Sequence, residues 1–191
     1  MLIKLMVGLR NPGSVYEQTR HNAGEWFLQA MVAPFHLSFK PNKKMQGEVA
    51  ECEGDQSRCY FLLPSTFMNL SGQSVRALCD FYRILPQEIL VAHDDLDLPV
   101  GRVKLKTGGG HAGHNGLRSL IAHLGTPDFH RLRIGIGRPN LKDDVLNYVL
   151  GKPSLLDKTQ IDEGIARAVS VVPLLLKGQL PLAMNQLNCT Q

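Results

Sequence analysis

The sequence predicts an α/β protein in which residues 1–191 form a single three-layer domain, a twisted mixed β-sheet flanked by helices. Two observations predict it. Short apolar runs alternate along the chain with segments whose apolar residues recur at helical spacing. Two neighbouring runs, residues 47–53 and 59–63, are separated by Gly-Asp-Gln-Ser, which is typical of a β-hairpin. An antiparallel pair is therefore expected in an otherwise alternating β-α pattern.

The composition is that of an ordinary globular protein. Of 191 residues, 43% are hydrophobic and 20% are charged, which is enough apolar material for one core. The net charge of +4 does not identify a nucleic-acid-binding protein unless the basic residues cluster. The four cysteines, at 52, 59, 79 and 189, lack zinc-ligand spacing and are expected to be reduced. The first apolar run is too short for a signal or membrane segment, so we expect a soluble cytoplasmic protein.

In the first half of the chain, residues 2–7 predict a strand and Asn-Pro-Gly then predicts a turn. A helix is expected from about Asn22 to Ala33, before Pro34. Residues 39–45 are basic and predicted to be irregular. Ser71 is predicted to cap the next helix, whose inner face holds four residues of helical spacing, Val75, Leu78, Cys79 and Tyr82.

In the second half, residues 89–92 predict a fully buried strand and residues 103–106 a strand with one wet face. A helix over residues 117–124 and a strand over 129–136 follow. Asp143 or Asp144 is predicted to cap a short helix that reaches Leu150. The last predicted element is an amphipathic helix over residues 158–172 that stops near Pro173.

Polar loops follow several of these strands. Three apolar strands end in polar segments, and a glycine-rich segment, residues 108–116, follows a fourth. Ligands bind where the carboxyl ends of strands meet in an α/β sheet, so loops opening on one side would form a site. The side chains they would bring together are His21, Asp94, Asn11, Asn69 and Asn115.

This set of residue types suits water activation. Histidine titrates near neutral pH, and no serine or cysteine in these loops has a nucleophile-elbow pattern. An imidazole paired with a carboxylate can deprotonate water, while asparagine amides can grip a peptide-like group or stabilise an oxyanion. Taken one at a time, each residue also has a structural interpretation: Asn11 as a turn former, His21 as a helix-start residue, and Asp94 and Asn69 as capping residues.

The glycine-rich segment admits other interpretations. Its G-x-G-x-x-G pattern fits a dinucleotide-binding loop, but the strand before it contains two lysines and Asp128 lies in a loop. We therefore favour a loop whose glycines allow close approach of a large ligand. His111 and His114 are three residues apart, but not on a helix face, so a metal site there is not favoured.

Basic residues alternate on two of the predicted strands. Period-two spacing places Lys104 and Lys106 on one strand face, and likewise Arg131 and Arg133. Two such pairs near a site could hold a phosphate, and the alternative is an ordinary solvated strand face. A non-catalytic RNA-binding module built on these strands is the alternative from another functional class.

Several of these segments together resemble the bacterial peptidyl-tRNA hydrolase family. They are GLRNPG (8–13), Tyr16, TRHNAG (19–24), Lys40, PSTFMNLSG (64–72), HDDLDLP (93–99), GGGHAGHNG (108–116), FHRLRIGIG (129–137) and Met184-Asn185. The match follows the chain in order over nearly its whole length. Each segment alone is a weak signal, whereas the set is highly specific.

The resemblance implies a monomeric hydrolase, without metal or cofactor, that cleaves the ester joining a peptide to the 3′ end of tRNA. By this resemblance His21 activates water, Asp94 is its partner, and Asn11 recognises the blocked, peptide-like amine. The expected contacts to substrate are Asn69 and Asn115 for the peptide and 3′ end, Tyr16, Phe67 and Met68 for the cleft wall, His114 beside the cleft, and Lys104, Lys106 and Arg133 for the tRNA 5′-phosphate.

Two positions depart from the family pattern. Arg10 stands where glycine is usual, which could add a base near the RNA end or alter the turn. Asp95 stands where glutamate is common, which keeps the charge. Neither departure removes a residue to which the resemblance assigns chemistry.

Overall fold

A computed structural model describes residues 2–53, 58–139 and 144–189. One seven-stranded sheet forms the centre of this part of the chain, in the order β2-β3-β4-β1-β5-β7-β6. Its strands are β1 (Leu5–Gly8), β2 (Lys40–Asn42), β3 (Gly47–Glu53), β4 (Arg58–Pro64), β5 (Ile89–Asp95), β6 (Val103–Thr107) and β7 (His130–Gly135). The four central strands β4, β1, β5 and β7 are parallel, and the outer pairings are antiparallel. The predicted mixed sheet is therefore confirmed.

Helices cover both faces of the sheet. They are α1 (Ala23–Val32), α2 (Ser71–Tyr82), α3 (Asn115–Leu124), α4 (Val145–Val149), α5 (Leu155–Ser170), α6 (Val172–Leu176) and α7 (Leu180–Cys189). Apolar residues of α1, α5, α6 and α7 pack on one face, and those of α2 and α3 on the other. This gives the predicted three layers. Among the described residues, none of the helices combines the length and apolarity that a membrane span needs.

The parallel strands bring their carboxyl ends to one edge of the sheet, which we call the C-terminal edge. At this edge lie Gly8, Pro64, Asp95 and Gly135, each the last residue of its strand. Three of the four predicted polar segments open here, as expected. β6 does not, because it is antiparallel to β7 and its last residue, Thr107, pairs with the first residue of β7 at the opposite edge.

Two local predictions were wrong. Residues 40–42 form the short edge strand β2 instead of an irregular segment. Ser71 does not cap α2: it is the first helical residue, and its buried Oγ has no hydrogen-bond partner among the described residues. The amide of Gly72 is satisfied from α3 instead, by the hydroxyl of Ser119 at 3.0 Å. Tertiary packing therefore replaced the local cap.

The C-terminal region contains more helix than predicted. α5 begins at Leu155, three residues ahead of the predicted start, because the Ser154 hydroxyl caps it by accepting from the amide of Asp157. Pro173 does not end the helical region, since it occupies the first turn of α6. Asp144 precedes α4 but makes no capping bond to its backbone. Asp143 and the predicted hairpin turn, residues 54–57, lie outside the described residues.

Candidate active site

Asp94 lies at the centre of a histidine cluster at the C-terminal edge. Its Oδ1 is 2.9 Å from Nδ1 of His21 and 2.9 Å from Nε2 of His114. Asp94 and His21 are buried, with 3% and 8% of their surface exposed. The chain supplies Asp94 from the end of β5 and His21 from a 3₁₀ turn, Arg20–Asn22, that leads into α1. The predicted pairing of His21 with Asp94 is thus present in the structure.

The hydrogen bonds around His114 determine which of its nitrogens holds the proton. Its Nδ1 caps α3 by accepting from the amides of Gly116 and Leu117. A neutral imidazole with an acceptor at Nδ1 has its proton on Nε2, so His114 donates to Asp94. A carboxylate oxygen accepts hydrogen bonds, so His21 donates its Nδ1 proton to the same oxygen of Asp94. This leaves the Nε2 lone pair of His21 available as a base.

Burial and charge act in opposite directions on these groups. Burial lowers the pKa of His21, but the charge of Asp94 and the hydrogen bond to it outweigh burial, so the pKa ends above its ordinary value. Burial alone would raise the pKa of Asp94, yet His21 and His114 hold it well below its usual range. Asp94 is therefore ionised, and it strengthens His21 as a proton acceptor.

A third histidine, His93, contacts both Asp94 and His114. The Nδ1 of buried His93 hydrogen-bonds the main-chain oxygen of Asp94 at 2.7 Å, and its ring meets His114 edge to face at 5.1 Å. Burial and the nearby His114 lower the pKa of His93, so this ring is neutral. Sequence reasoning gave His93 no role; its place just before Asp94 was the only available signal.

The same cluster is where a metal ion would have its ligands. Donor atoms of His21, Asp94 and His114 lie within 4.8 Å of one another. In the hydrogen-bonding pattern described above, however, both histidine nitrogens that face Asp94 hold protons. The three groups therefore satisfy one another. His111, the other histidine weighed for a metal, accepts from the amide of Gly113 and does not belong to this cluster.

Asn11 is fixed in a defined orientation by Asn22, the residue that follows His21. Its main-chain amide donates to Oδ1 of Asn22, and its main-chain oxygen accepts from Nδ2 of Asn22, both at 2.9 Å. Its side-chain Oδ1 accepts from the amide of Met68 at 2.8 Å. Within the described part of the chain its Nδ2 has no partner, so the NH₂ group is the free end of the carboxamide. Sequence reasoning missed the role of Asn22.

Tyr16, Phe67 and Asn69 lie around the segments that hold Asn11. The rings of Tyr16 and Phe67 meet edge to face with centroids 6.3 Å apart, and Phe67 is 54% exposed. Met68 is buried, and Asn69 is exposed within the same 3₁₀ turn, Met68–Leu70. An aromatic pair of exposed Phe67 and half-buried Tyr16 is a surface suited to a partly apolar ligand.

A cleft of about 780 Å³ extends from the His21 cluster over β5 and β7. Asn115 and Leu117 of α3 line it, together with residues 110–114 of the glycine-rich segment. Four basic residues also line it, Lys106, Arg131, Arg133 and Arg138, together with Asp95 and Asp97, which pair with Arg133 and Arg138. A single depression therefore contains both a candidate base and several basic side chains.

The basic strands have the register that the sequence predicted. Lys104 pairs with Arg133 and Lys106 with Arg131, so the four side chains share one face. Of these four side chains, only Lys104 is absent from the cleft lining, which also lacks the predicted residues Asn11, Tyr16, Phe67, Met68 and Asn69. Nε of Arg133 is held by Oδ2 of Asp95 at 2.7 Å, while its terminal nitrogens have no partner among the described residues. A guanidinium anchored in this way can offer two parallel donors to a phosphate.

Arg131 has a different role from the other bases. It is 3% exposed, and its guanidinium donates to the main-chain oxygens of Gly109 and Gly110. The segment 108–114 starts at the far edge of the sheet, runs over this guanidinium and delivers His114 to Asp94. Gly109 and Gly113, with φ of 102° and 83°, permit the turns on this path. The glycine-rich segment thus reaches the site by crossing the face of the sheet.

The surroundings of Arg10 and of the glycine-rich segment exclude two of the roles considered for them from the sequence. Arg10 adds no free base near a ligand, since it is buried and paired with Glu25 and Glu48. The dinucleotide interpretation is wrong in its structural context. A dinucleotide-binding loop follows a parallel strand at the C-terminal edge, whereas this segment follows the antiparallel edge strand β6.

The fold and cleft define an α/β protein with a histidine–carboxylate pair at the carboxyl ends of its parallel strands and no nucleophile hydrogen-bonded to that histidine among the described residues. Comparison with known proteins gives the family. A family model described as peptidyl-tRNA hydrolase matches residues 5–191. Peptidyl-tRNA hydrolase of Legionella pneumophila strain Lens is 57% identical over 188 residues, 98% of this chain and 100% of that protein.

Other relatives agree. Peptidyl-tRNA hydrolase of Neisseria meningitidis serogroup A is 52% identical, covering 97% of both chains. The crystal structure of peptidyl-tRNA hydrolase from Acinetobacter baumannii superposes with a TM-score of 0.94 at 49% identity, over 98% of this chain and 95% of that one. The chain belongs to the peptidyl-tRNA hydrolase family of enzymes, whose function is to hydrolyse peptidyl-tRNA into peptide and tRNA.

Proposed function

We propose that this chain cleaves the ester between peptide and tRNA with His21 as general base and without a metal ion. The observation that supports this most directly is the bond between His21 Nδ1 and Asp94 Oδ1, which leaves His21 Nε2 free for a water molecule. Nε2 takes a proton as the water oxygen attacks the ester carbonyl, and Asp94 stabilises the imidazolium that forms.

The later steps use the same groups. Attack places negative charge on the former carbonyl oxygen, and we assign its stabilisation to the carboxamide donors of the site, Asn115 and Asn69. As the tetrahedral intermediate collapses, the bond to the ribose oxygen of tRNA breaks. The imidazolium of His21 returns its proton to that oxygen, so peptide acid and free tRNA leave and the base is restored.

We assign to Asn11 the recognition of the acylated amine. Its side-chain oxygen is occupied by the Met68 amide, so Asn11 offers donors from its NH₂ group. The amide carbonyl of a peptidyl group accepts such a hydrogen bond, whereas the free ammonium of an ordinary aminoacyl-tRNA has donors only. A fixed donor therefore favours blocked substrates and spares unblocked ones.

We further assign binding of the tRNA acceptor end to the basic part of the cleft, with Arg133 and Lys106 on the 5′-phosphate. Lys104 would contribute at longer range, since it lies beside the cleft. Tyr16, Phe67 and Met68 form the wall near Asn11, and His114 shapes the cleft by holding Asp94. The whole chain then acts as one domain, as a monomer in the cytoplasm where its substrate is made.

The test is hydrolysis of N-acetyl-aminoacyl-tRNA by the purified protein in the presence of EDTA. We expect full turnover with chelator and little cleavage of the same tRNA bearing an unblocked amino acid. Loss of turnover on chelation would contradict the metal-free mechanism. Equal cleavage of both substrates would contradict the role given to Asn11. Light scattering of the same sample tests the monomer.

A further inference from the structure

A buried ion-pair cluster around Arg10 lies next to the site but has no part in the proposed chemistry. The Nη1 of Arg10 is 2.6 Å from Oε1 of Glu25, and its Nη2 pairs with Glu48. Its Nε donates to the main-chain oxygen of Pro64 at 2.9 Å. One guanidinium therefore ties together β1, α1, β3 and the end of β4.

Glu25 connects this cluster to Asn11. Its second oxygen, Oε2, accepts from Nδ2 of Asn22 at 3.1 Å. A carboxylate can only accept, so the NH₂ of Asn22 must face Glu25 and its oxygen must face the amide of Asn11. Glu25 thereby fixes which way the Asn22 carboxamide points, and that carboxamide holds both main-chain polar groups of Asn11.

Arg10 also acts on Asn11 from the other side. By holding Pro64 it fixes the end of β4, which leads directly into the turn containing Met68. The amide of Met68 is the donor that occupies Oδ1 of Asn11. The main chain and the side chain of Asn11 are both set by elements that Arg10 joins.

The position of the Glu25 carboxylate depends on Arg10 because the guanidinium compensates its negative charge. The side chain of Glu25 is only 6% exposed, and Arg10 is its cation. Removing the guanidinium would leave the buried Glu25 carboxylate with only the neutral donors of Asn22 and Gln29, so its side chain would turn toward water. Asn22 would then lose its Glu25 acceptor and be held only by its two bonds to the main chain of Asn11. Glu48 is more exposed, at 35%, and does not contact Asn22.

We propose that Arg10 is a positioning residue that, through Glu25 and Asn22, holds the Asn11 carboxamide in the orientation that distinguishes acylated from free amines. This rests on the role proposed for Asn11. It gives a function to a position where the family pattern usually has glycine. Arg10 is buried with Nε, Nη1 and Nη2 all bonded within the protein, so its effect passes through Asn11 to discrimination between substrates and to KM.

The experiment compares Arg10→Ala with Glu48→Ala, each assayed on N-acetyl-aminoacyl-tRNA and on the unblocked aminoacyl-tRNA. Arg10→Ala removes both ion pairs and deprives Glu25 of its cation, whereas Glu48→Ala removes only the Arg10–Glu48 pair and leaves Glu25 paired. We expect Arg10→Ala to lower the ratio of kcat/KM for blocked over unblocked substrate about tenfold, mainly through KM, as loss of one charge-assisted hydrogen bond would do. Glu48→Ala should keep the ratio within about twofold.

A third variant separates positioning from folding. Arg10→Lys restores a cation for Glu25 and should recover most of the ratio, even if thermal stability stays low. An unchanged ratio in Arg10→Ala, or equal losses in Arg10→Ala and Glu48→Ala, would overturn the inference while leaving the proposed function intact. Wild-type protein that cleaves both substrates equally would overturn the role of Asn11, and this inference with it.

Discussion

His114 donates its Nε2 proton to Asp94 Oδ1 across 2.9 Å, although the two residues arrive from different elements and opposite edges of the sheet. That oxygen also accepts a hydrogen bond from His21, so two imidazoles share one carboxylate oxygen. The strength of the base is therefore adjusted by a residue that need not touch the reacting water. Two pH predictions with opposite signs follow from this shared oxygen.

Asp94→Asn should weaken the base. The active form of His21 is neutral, so kcat/KM falls as pH drops through its pKa, and ionised Asp94 is what holds that pKa above the ordinary value. Without the charge, the acid limb of the pH profile should move to lower pH while the plateau falls by about 10²–10⁴-fold. A limb that moves to higher pH would contradict this account of the pKa.

His114→Ala should move the acid limb the other way. The neutral His114 draws on the charge of Asp94 through its hydrogen bond, and without it the full charge acts on His21. The pKa of His21 should rise, so the limb shifts to higher pH. Measuring both variants with one substrate over the same buffers makes the comparison direct. Shifts of the same sign would show that Asp94 does not transmit the effect.

The basic residues of the cleft predict an ordered set of binding effects. Arg133→Ala, which removes an anchored guanidinium, should raise KM about tenfold at low salt, with a smaller effect at high salt. Lys104→Ala is the matched control, because Lys104 shares the strand face but does not line the cleft. Its effect should be several times smaller. A larger effect for Lys104 would place the phosphate outside the cleft.

Arg131→Ala should loosen the glycine-rich segment. The guanidinium holds the main-chain oxygens of Gly109 and Gly110 from beneath. Without it, amide hydrogen exchange should speed up over residues 108–113, and kcat should fall because His114 is delivered by this segment. Exchange that stays slow there would show that the segment is held by other contacts.

Much of the site could be predicted from the sequence because it follows from strand order. Polar residues that follow buried apolar runs meet at the C-terminal edge, and this predicted the pairing of His21 with Asp94. The alternation of Lys104 with Lys106 predicted a shared face, which the register confirms. These are local patterns whose geometric consequence is the same in any parallel sheet.

What could not be predicted depends on partners far apart in sequence. Arg10 is buried because Glu48 on β3 comes within reach, a contact across 38 positions that no local pattern encodes. The path of the glycine-rich segment depends on β6 being antiparallel, which alternation of residue types does not determine. Ser71 failed as a cap because Ser119, from another helix, supplied the hydroxyl.

The role of His21 as the base is tested by single-turnover cleavage of N-acetyl-aminoacyl-tRNA by His21→Ala, paired with a measurement of how tightly that variant binds uncleaved substrate. We expect the rate to fall by about 10²–10⁴-fold while Kd changes little, since the imidazole acts on water and not on tRNA. A variant that keeps the wild-type rate would contradict the account.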